Sequence, residues 1–252
     1  TPNEIVKFII QGIDFMLTNW MGLKDGIVTA SRNIQLKKDH DRLRILDPAA
    51  GTMAFASGFL QVALEKFKQT HVNNPIIARA SYKEWVINEF LPNMYSFEIL
   101  MAPYVLGQIR TFLTLESMGI KLNPEEFKLK SFLMNTLMTP PKNKNLDEYL
   151  FNNQEIGKEI KEALFVRDRK DIYIVMGNPP YNLSSQNDCD WINEKINDYK
   201  EGLDERNLKI LSDDYVKFIR FSQWKIEKVG RGVLGFITNS RSPVPSPFTP
   251  GS

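Results

Sequence analysis

The sequence predicts an α/β fold with a mostly parallel sheet and helices on both of its faces. Apolar runs of strand length alternate along the chain with segments of helical periodicity, a pattern typical of strand–helix–strand units. Three unusual features fall at the ends of predicted strands, namely Asp47-Pro48, Glu98 and Asn178-Pro179. Because ligands on parallel sheets bind beyond the carboxyl ends of the strands, we expect these three positions to form one site.

The composition indicates a globular protein. Of the 252 residues, 42% are hydrophobic and 25% are charged, and the formal net charge is +2, which excludes a disordered polyelectrolyte. The single cysteine, Cys189, excludes an internal disulfide and favours a reducing compartment. With only His40 and His71 as histidines, we expect no metal site. The apolar runs are too short for a membrane span, so we expect a cytoplasmic protein with no membrane partner.

The first element is a predicted helix within residues 1–20. Thr1 suits the N-cap, Pro2 suits the first helical position, and Glu4 completes a capping box. Apolar residues then follow at helical spacing, including Ile5, Phe8, Ile9, Ile13 and Met16.

The remaining elements follow from the same patterns. Short apolar runs predict strands over residues 43–46, 94–99, 132–134, 172–176 and 232–238. Apolar residues at helical spacing predict helices over residues 54–68, 82–91, 103–118 and 213–228. A polar stretch at about 141–165 is an insertion or a surface helix, and the Pro/Ser-rich residues 241–252 are a flexible tail or an artificial addition. Both ends look cut, so we expect a fragment of a larger polypeptide.

The turn after the first predicted strand, DPAAGT, is a candidate ligand site. Ala49 and Gly51 let the backbone approach a ligand closely, and the helix beyond offers free N–H groups. An acid at Asp47 favours a cationic or amine-bearing ligand over a phosphate. One such ligand is the amino-acid end of S-adenosylmethionine. The alternative is an ordinary strand–turn–helix connection in which Asp47 caps the helix.

Glu98 ends the second predicted strand, where an acid can accept both hydroxyls of a ribose. The spacing from the first turn is longer than in simple dinucleotide-binding units, which we attribute to the intervening helix at 82–91. The alternative is a solvated acid at a strand end.

The hexapeptide GNPPYN, beginning at Gly177, carries the most specific signal. Pro180 lacks an N–H and forces Pro179 into an extended conformation, so the Pro179 carbonyl is held in one direction. The Asn178 side chain offers a second carbonyl beside it. Two fixed acceptors suit an amine conjugated to an aromatic ring, because accepting both hydrogens frees the nitrogen lone pair for attack. Tyr181 supplies a surface on which the ring can stack.

This hexapeptide resembles the fourth motif of amino-methyltransferases, and further segments are similar to other motifs of that family. TPNEIVKFI resembles the N-terminal motif, DPAAGTMAFA the first, FEILMAPYVLGQIR the second and SFLMNTL the third. The order of the motifs is that of the gamma class of N6-adenine DNA methyltransferases with an NPPY motif. The spacing is most similar to large restriction–modification polypeptides of the type ISP, IIG and I-like kinds.

The resemblance implies a Rossmann-like fold that uses S-adenosylmethionine to methylate a flipped-out adenine in double-stranded DNA. It implies fusion to, or association with, nuclease, helicase or specificity modules, and a prokaryotic source. The residues that it assigns to catalysis are Asn178, Pro179, Pro180 and Tyr181. The residues that it assigns to the cofactor are Thr1, Asp47, Ala49, Gly51, Glu98 and Asn135, the last beside the adenine.

The chain departs from the family at two places. Met53 stands where the family usually has a second glycine. The seventh and eighth motifs and the target-recognition domain are expected after Thr238, where the sequence no longer resembles the family. We therefore expect residues 1–240 to form a methyltransferase catalytic domain that is incomplete at its C-terminal end.

Two other classes of function stay open. The same tetrapeptide occurs in methyltransferases that act on a glutamine side chain of a protein, or on other base amines. A methyltransferase-like module that only binds DNA is the third reading. The candidate contacts to DNA phosphates are Lys142, Lys144, Arg167, Arg169 and Lys170. The alternative is that these basic residues are ordinary solvated surface.

Overall fold

The computed structural model describes residues 1–30, 42–123, 125–138, 154–181, 189–200, 211 and 213–238. Its five strands are β1 (Ile45–Asp47), β2 (Met94–Glu98), β3 (Lys130–Leu133), β4 (Ile174–Gly177) and β5 (Val233–Phe236). They form one sheet in the order β3-β2-β1-β4-β5, and each pairing is parallel. The predicted α/β fold is confirmed, and each predicted strand is present with bounds shifted by at most two residues. The chain order reverses between β1 and β4, which is where ligands bind on such sheets.

Seven α-helices longer than one turn lie among the described residues. They are α1 (Asn3–Asn19), α2 (Ala54–Thr70), α3 (Pro75–Trp85), α4 (Met101–Ser117), α5 (Gln154–Asp168), α6 (Asp190–Asn197) and α7 (Asp214–Val229). After α3 the chain continues through a π-helical segment, Val86–Phe90, and a short last turn, Leu91–Asn93. No helix in these ranges is long and apolar enough to cross a membrane.

Two hydrophobic cores lie on opposite faces of the sheet. Side chains alternate between the faces of a strand, and in β4 Ile174 and Met176 join one core whereas Val175 joins the other. The first core includes residues of α1, α2 and the 75–93 segment. The second includes residues of α5, α6 and α7. The sheet is therefore covered on both faces, as the continuous apolar runs of the sequence predict.

The predicted start of the first helix is wrong by one position. Pro2 is the N-cap and α1 begins at Asn3, and no side chain caps its first turn. The capping box predicted for Thr1 and Glu4 is therefore not formed. Instead, the Thr1 hydroxyl accepts a hydrogen bond from Asn178.

Other differences concern where helices begin. The helix predicted at 82–91 begins earlier, because Asn74 caps it by accepting a hydrogen bond from the Ile77 N–H at 3.1 Å. Part of the polar stretch at 141–165 belongs to α5, whereas 141–153 lie outside the described residues. Helix α6 was not predicted. The predicted tail, 241–252, also lies outside the described residues.

Candidate active site at the carboxyl edge of the sheet

Asp47 ends β1 as a buried carboxyl group with few partners. Only 1% of the residue is exposed, and its Oδ1 accepts a hydrogen bond from the Ala49 N–H at 3.1 Å. Burial raises the pKa of Asp47 to about 7; the Ala49 N–H opposes this shift, and the nearby Glu98 carboxylate adds to it. A cation that approached Asp47 would favour its ionised form.

The first turn keeps the conformation that a second glycine would provide. Gly51 has a φ of +53°, and Met53, at the N-cap of α2, has a φ of +55°. This left-handed conformation costs a non-glycine residue roughly 1–2 kcal/mol. The buried Met53 side chain packs against α4, where a Cβ on Gly107 would lie 2.8 Å from Met53 Cγ. The Met53 residue thus combines a strained backbone with a side chain that packs closely against Gly107.

Glu98, at the end of β2, is tied to the first turn. Its Oε2 accepts a hydrogen bond from the Gly51 N–H and its Oε1 accepts one from the Leu100 N–H, both at 2.8 Å. Each carboxylate oxygen has further acceptor capacity. The predicted ribose acceptor and the predicted glycine turn thus lie side by side.

The loop after β3 reaches the same edge. Asn135 is partly buried, and its Oδ1 accepts a hydrogen bond from the Leu137 N–H at 3.0 Å. The next residue, Thr136, donates its hydroxyl to the Pro48 carbonyl at 2.5 Å. Thr136 is a positioning residue that the sequence reasoning missed, because the sequence gives no sign of a contact across 88 positions.

Asn178 follows β4 and lies between two hydroxyl groups. Its Nδ2 donates to Thr1 Oγ1 at 3.2 Å, and the Tyr181 hydroxyl lies 3.2 Å from its Oδ1. Pro179 is buried and Pro180 is exposed. Among the described residues, none donates a hydrogen bond to the Pro179 carbonyl.

Tyr181 presents an open ring surface. The residue is 44% exposed, and its hydroxyl donates to the Ile237 carbonyl, just beyond β5, at 2.9 Å. The ring of Tyr215 supports it, with the two centroids 5.9 Å apart and the planes at 52°. Burial raises the pKa of Tyr181, and Tyr215 adds to the shift. Tyr215 lies in the helix predicted over residues 213–228, and the sequence gives no sign of its contact with Tyr181.

The two halves of the site meet between β1 and β4. A Cβ on Gly177 would lie 2.7 Å from Asp47 Oδ1, so the residue before Asn178 contacts the Asp47 carboxyl group.

Thr1 lies beside Asn178 rather than on the first turn. Arg110 of α4 connects the chain start to that turn, because its guanidinium lies 3.4 Å from Asn3 Oδ1 and 3.3 Å from Thr52 Oγ1.

The predicted phosphate contacts are in part wrong. Arg167 is 2% exposed, donates to the Thr136 carbonyl at 3.0 Å and lies over the Trp191 ring at 4.4 Å, so it is not available to DNA. Arg169 forms two hydrogen bonds with Asp171, each of 2.8 Å. Lys170 is exposed, as predicted for a surface cation. Lys142 and Lys144 lie outside the described residues.

No protein-family model matches the chain, and no curated protein matches it in sequence. Among solved structures, it is similar to the ATP-dependent Type ISP restriction-modification enzyme LlaBIII bound to DNA, with 22% identity, a TM-score of 0.65 and coverage of 95% of this chain and 15% of that one. It is also similar to a nuclease-deletion mutant of the Type ISP enzyme LlaGI in complex with a DNA substrate mimic, with 20% identity, a TM-score of 0.65 and coverage of 94% and 20%. A third match is a DrdV–DNA complex, with 20% identity, a TM-score of 0.64 and coverage of 95% and 20%.

These likenesses show the fold. The chain spans between 15% and 20% of the length of these three structures.

Proposed function

We propose that this chain is the catalytic region of a DNA methyltransferase that transfers a methyl group from S-adenosylmethionine to adenine N6. The observation that carries the proposal is the contact between Gly177 and Asp47, where a Cβ would lie 2.7 Å from the carboxyl oxygen. The turn that would hold the target amine therefore adjoins the acid that would attract the cationic cofactor. Methyl transfer needs these two ligands side by side.

The first turn fits the cofactor. The space around Gly51 is open, since no atom lies within 4 Å of the position that a Cβ would take. Asp47 would attract a cationic group of the cofactor, Glu98 would accept its ribose hydroxyls, and Ala49 and Asn135 would line the site. When bound, S-adenosylmethionine supplies an electrophilic methyl group on a positively charged sulfur.

Asn178 and Pro179 would orient the amine. The Asn178 amide is fixed because Thr1 Oγ1 accepts from its Nδ2, which leaves Oδ1 as the acceptor for a substrate N–H. The Pro179 carbonyl accepts no hydrogen bond from a described residue, and Pro180 keeps it in place. Two preorganised acceptors favour a tetrahedral amine nitrogen with an available lone pair, so most of the rate enhancement comes from positioning and electrostatics.

Tyr181 would stack on the target base. Its ring is accessible, its hydroxyl is anchored on Ile237, and Tyr215 supports it. Stacking of a base on an aromatic side chain contributes roughly 1–3 kcal/mol. A base inside a duplex cannot reach such a site, so the adenine would be flipped out.

The fold similarity supports a place in a restriction–modification system. Two of the three structures similar to this chain are described as Type ISP restriction-modification enzymes, and all three contain DNA or a DNA mimic. We propose that this chain likewise acts within a longer cytoplasmic polypeptide, beside nuclease, helicase or specificity modules.

The test is methyl transfer from S-adenosylmethionine with a labelled methyl group. The polypeptide that contains this chain is incubated with duplex DNA of varied sequence, and the digested nucleosides are separated. We expect label in N6-methyladenine, and none after Asn178→Ala; the exposed Asn197→Ala is the matched control. Label in cytosine, in guanine or in a protein glutamine would contradict the proposal, as would cofactor binding with no transfer to any DNA.

A further inference from the structure

A second surface of the molecule lies far from the candidate active site. Helices α2 and α4 begin at the carboxyl ends of β1 and β2, so their last turns lie at the opposite end of the sheet. Each has 17 residues and is therefore about 25 Å long. Between these last turns and the first half of α3 runs an open groove with a volume of about 1150 Å³. We call it the α2–α4 groove.

The walls of the α2–α4 groove are apolar and exposed. Val72 is 73% exposed and Ile76 is 82% exposed, although both are branched aliphatic residues that are usually buried. Leu64, Pro75 and Met118 continue the apolar lining. A contiguous apolar surface of this kind marks an interaction site more often than an isolated exposed residue does.

The charges around the α2–α4 groove are almost all of one sign. The cations that line it are Lys68, Arg79, Lys83 and Lys121. Glu116 is the one carboxylate among the described residues that line it. None of the four cations forms an ion pair with a described residue. The groove thus combines an apolar wall with four cations that have no ion-pair partner in the described part of the chain.

One of these cations, Arg79, lies against the backbone of the turn after α4. A Cβ on Gly119, which has a φ of +77°, would lie 3.1 Å from Arg79 Cζ. The guanidinium of Arg79 therefore rests against the bare turn that follows α4. This contact places a bidentate donor at the wall of the groove, where it suits a carboxylate.

We propose that the α2–α4 groove binds an acidic amphipathic α-helix of a protein partner. The apolar face of the helix would cover Val72, Ile76 and Met118, and its flanking glutamates or aspartates would face the four cations. Docking of a helix into an apolar groove is a common mode of recognition. Duplex DNA fits less well, because phosphates would meet the cations but leave the aliphatic side chains exposed or against a charged backbone. The inference does not depend on the proposed methyltransferase activity.

The test uses two labelled helical peptides of about 20 residues. Both carry leucine at the i, i+3, i+4 and i+7 positions; one has glutamate at the flanking positions and the other has lysine. Fluorescence anisotropy with the polypeptide that contains this chain should show binding of the glutamate peptide, weakened by salt, and at least tenfold weaker binding of the lysine peptide.

Variants of the chain locate the site. Lys68→Glu/Lys83→Glu should weaken binding of the glutamate peptide at least tenfold, whereas Lys24→Glu/Lys161→Glu, which makes the same change in net charge at exposed positions, should not. Ile76→Ser, at a position too exposed to affect folding, should weaken it several-fold. The proposal is overturned if neither peptide binds, if both bind equally, or if duplex DNA binds and is the ligand that Lys68→Glu/Lys83→Glu removes.

Discussion

The Tyr181 hydroxyl lies 3.2 Å from Asn178 Oδ1 and, at 2.9 Å, closer to the Ile237 carbonyl. A hydroxyl has one proton and donates to one acceptor at a time. When it donates to Ile237, the Asn178 oxygen is free to accept from a substrate amine. The end of β5 thus anchors the stacking ring without occupying the catalytic acceptor.

Two substitutions of Tyr181 should distinguish the contribution of its ring to methyl transfer from that of its hydroxyl. Tyr181→Phe keeps the stacking surface and loses one hydrogen bond, so we expect kcat/KM for methyl transfer to fall about fivefold, equivalent to roughly 1 kcal/mol. Tyr181→Ala should lose a further 1–3 kcal/mol, approximately, because the base no longer stacks. Tyr104→Phe, which removes an exposed hydroxyl near Glu159, is the control. Equal losses in Tyr181→Phe and Tyr181→Ala would rule out a stacking role.

Asp47 should make folding stability depend on pH. Its pKa is about 7 in the folded protein and 3.8 in the reference state, so between these values the folded state holds a proton that the unfolded chain has lost. The corresponding stability is fully present below pH 3.8 and is lost as the pH rises through 7, by about 4 kcal/mol in total. Urea denaturation of the wild type and of Asp47→Asn at pH 5 and pH 8 checks this. We expect Asp47→Asn to gain stability relative to the wild type as the pH rises, and an unchanged difference would contradict the burial argument.

Cofactor binding should release a proton through the same group. A cation beside Asp47 favours the carboxylate, so the affinity for S-adenosylmethionine should rise up to tenfold per pH unit between pH 5 and 7 and then level off. Calorimetry in two buffers of different ionisation enthalpy measures the released proton. Asp47→Asn should abolish the release. S-adenosylhomocysteine, which lacks the sulfonium charge, shows whether the ammonium group alone suffices; pH-independent affinity would exclude Asp47 from the site.

Gly177→Ala should displace the Asp47 carboxyl group while leaving the Asn-Pro-Pro-Tyr residues unchanged. The added Cβ would lie 2.7 Å from Asp47 Oδ1, so the carboxyl group must move. We expect a loss of stability of about 1–3 kcal/mol and at least tenfold weaker cofactor binding. Gly12→Ala in α1, where the added Cβ meets no atom within 4 Å, should instead stabilise the protein by roughly 0.5–1 kcal/mol. If Gly177→Ala binds the cofactor with wild-type affinity, the position of the Asp47 carboxyl group is unimportant for cofactor binding.

Met53 and Gly107 should be coupled energetically. An added Cβ on Gly107 would lie 2.8 Å from Met53 Cγ, so Gly107→Ala should destabilise the protein by about 1–3 kcal/mol. Met53→Gly relieves the left-handed strain but loses a buried side chain, and the combined variant should lose less stability than the sum of the two. A double-mutant cycle by urea denaturation measures the coupling. If the two changes in the free energy of unfolding are strictly additive, the side chains of Met53 and residue 107 do not interact.

Much of the architecture was predictable because it depends on local patterns. The buried strands are short apolar runs, as in 172–176, and the acids and the amide follow the strands in the sequence itself. Parallel strands share one carboxyl edge, so Asp47, Glu98 and Asn178 were expected together, and the contacts of Gly51 and Gly177 place them there. The roles of these residues with cofactor and base stay predictions.

Other features were decided by tertiary structure alone. Arg167 reads as a surface cation, yet it is buried between Thr136 and Trp191. Thr1 reads as a helix cap, yet it accepts a hydrogen bond from Asn178, 177 positions away. Met53 takes a glycine's conformation while its side chain packs on Gly107. Periodicity records which face of an element is apolar, so it predicts helices and strands. Which hydrogen bonds and ion pairs form between distant elements depends on how those faces pack, and that is fixed only when the whole chain is folded.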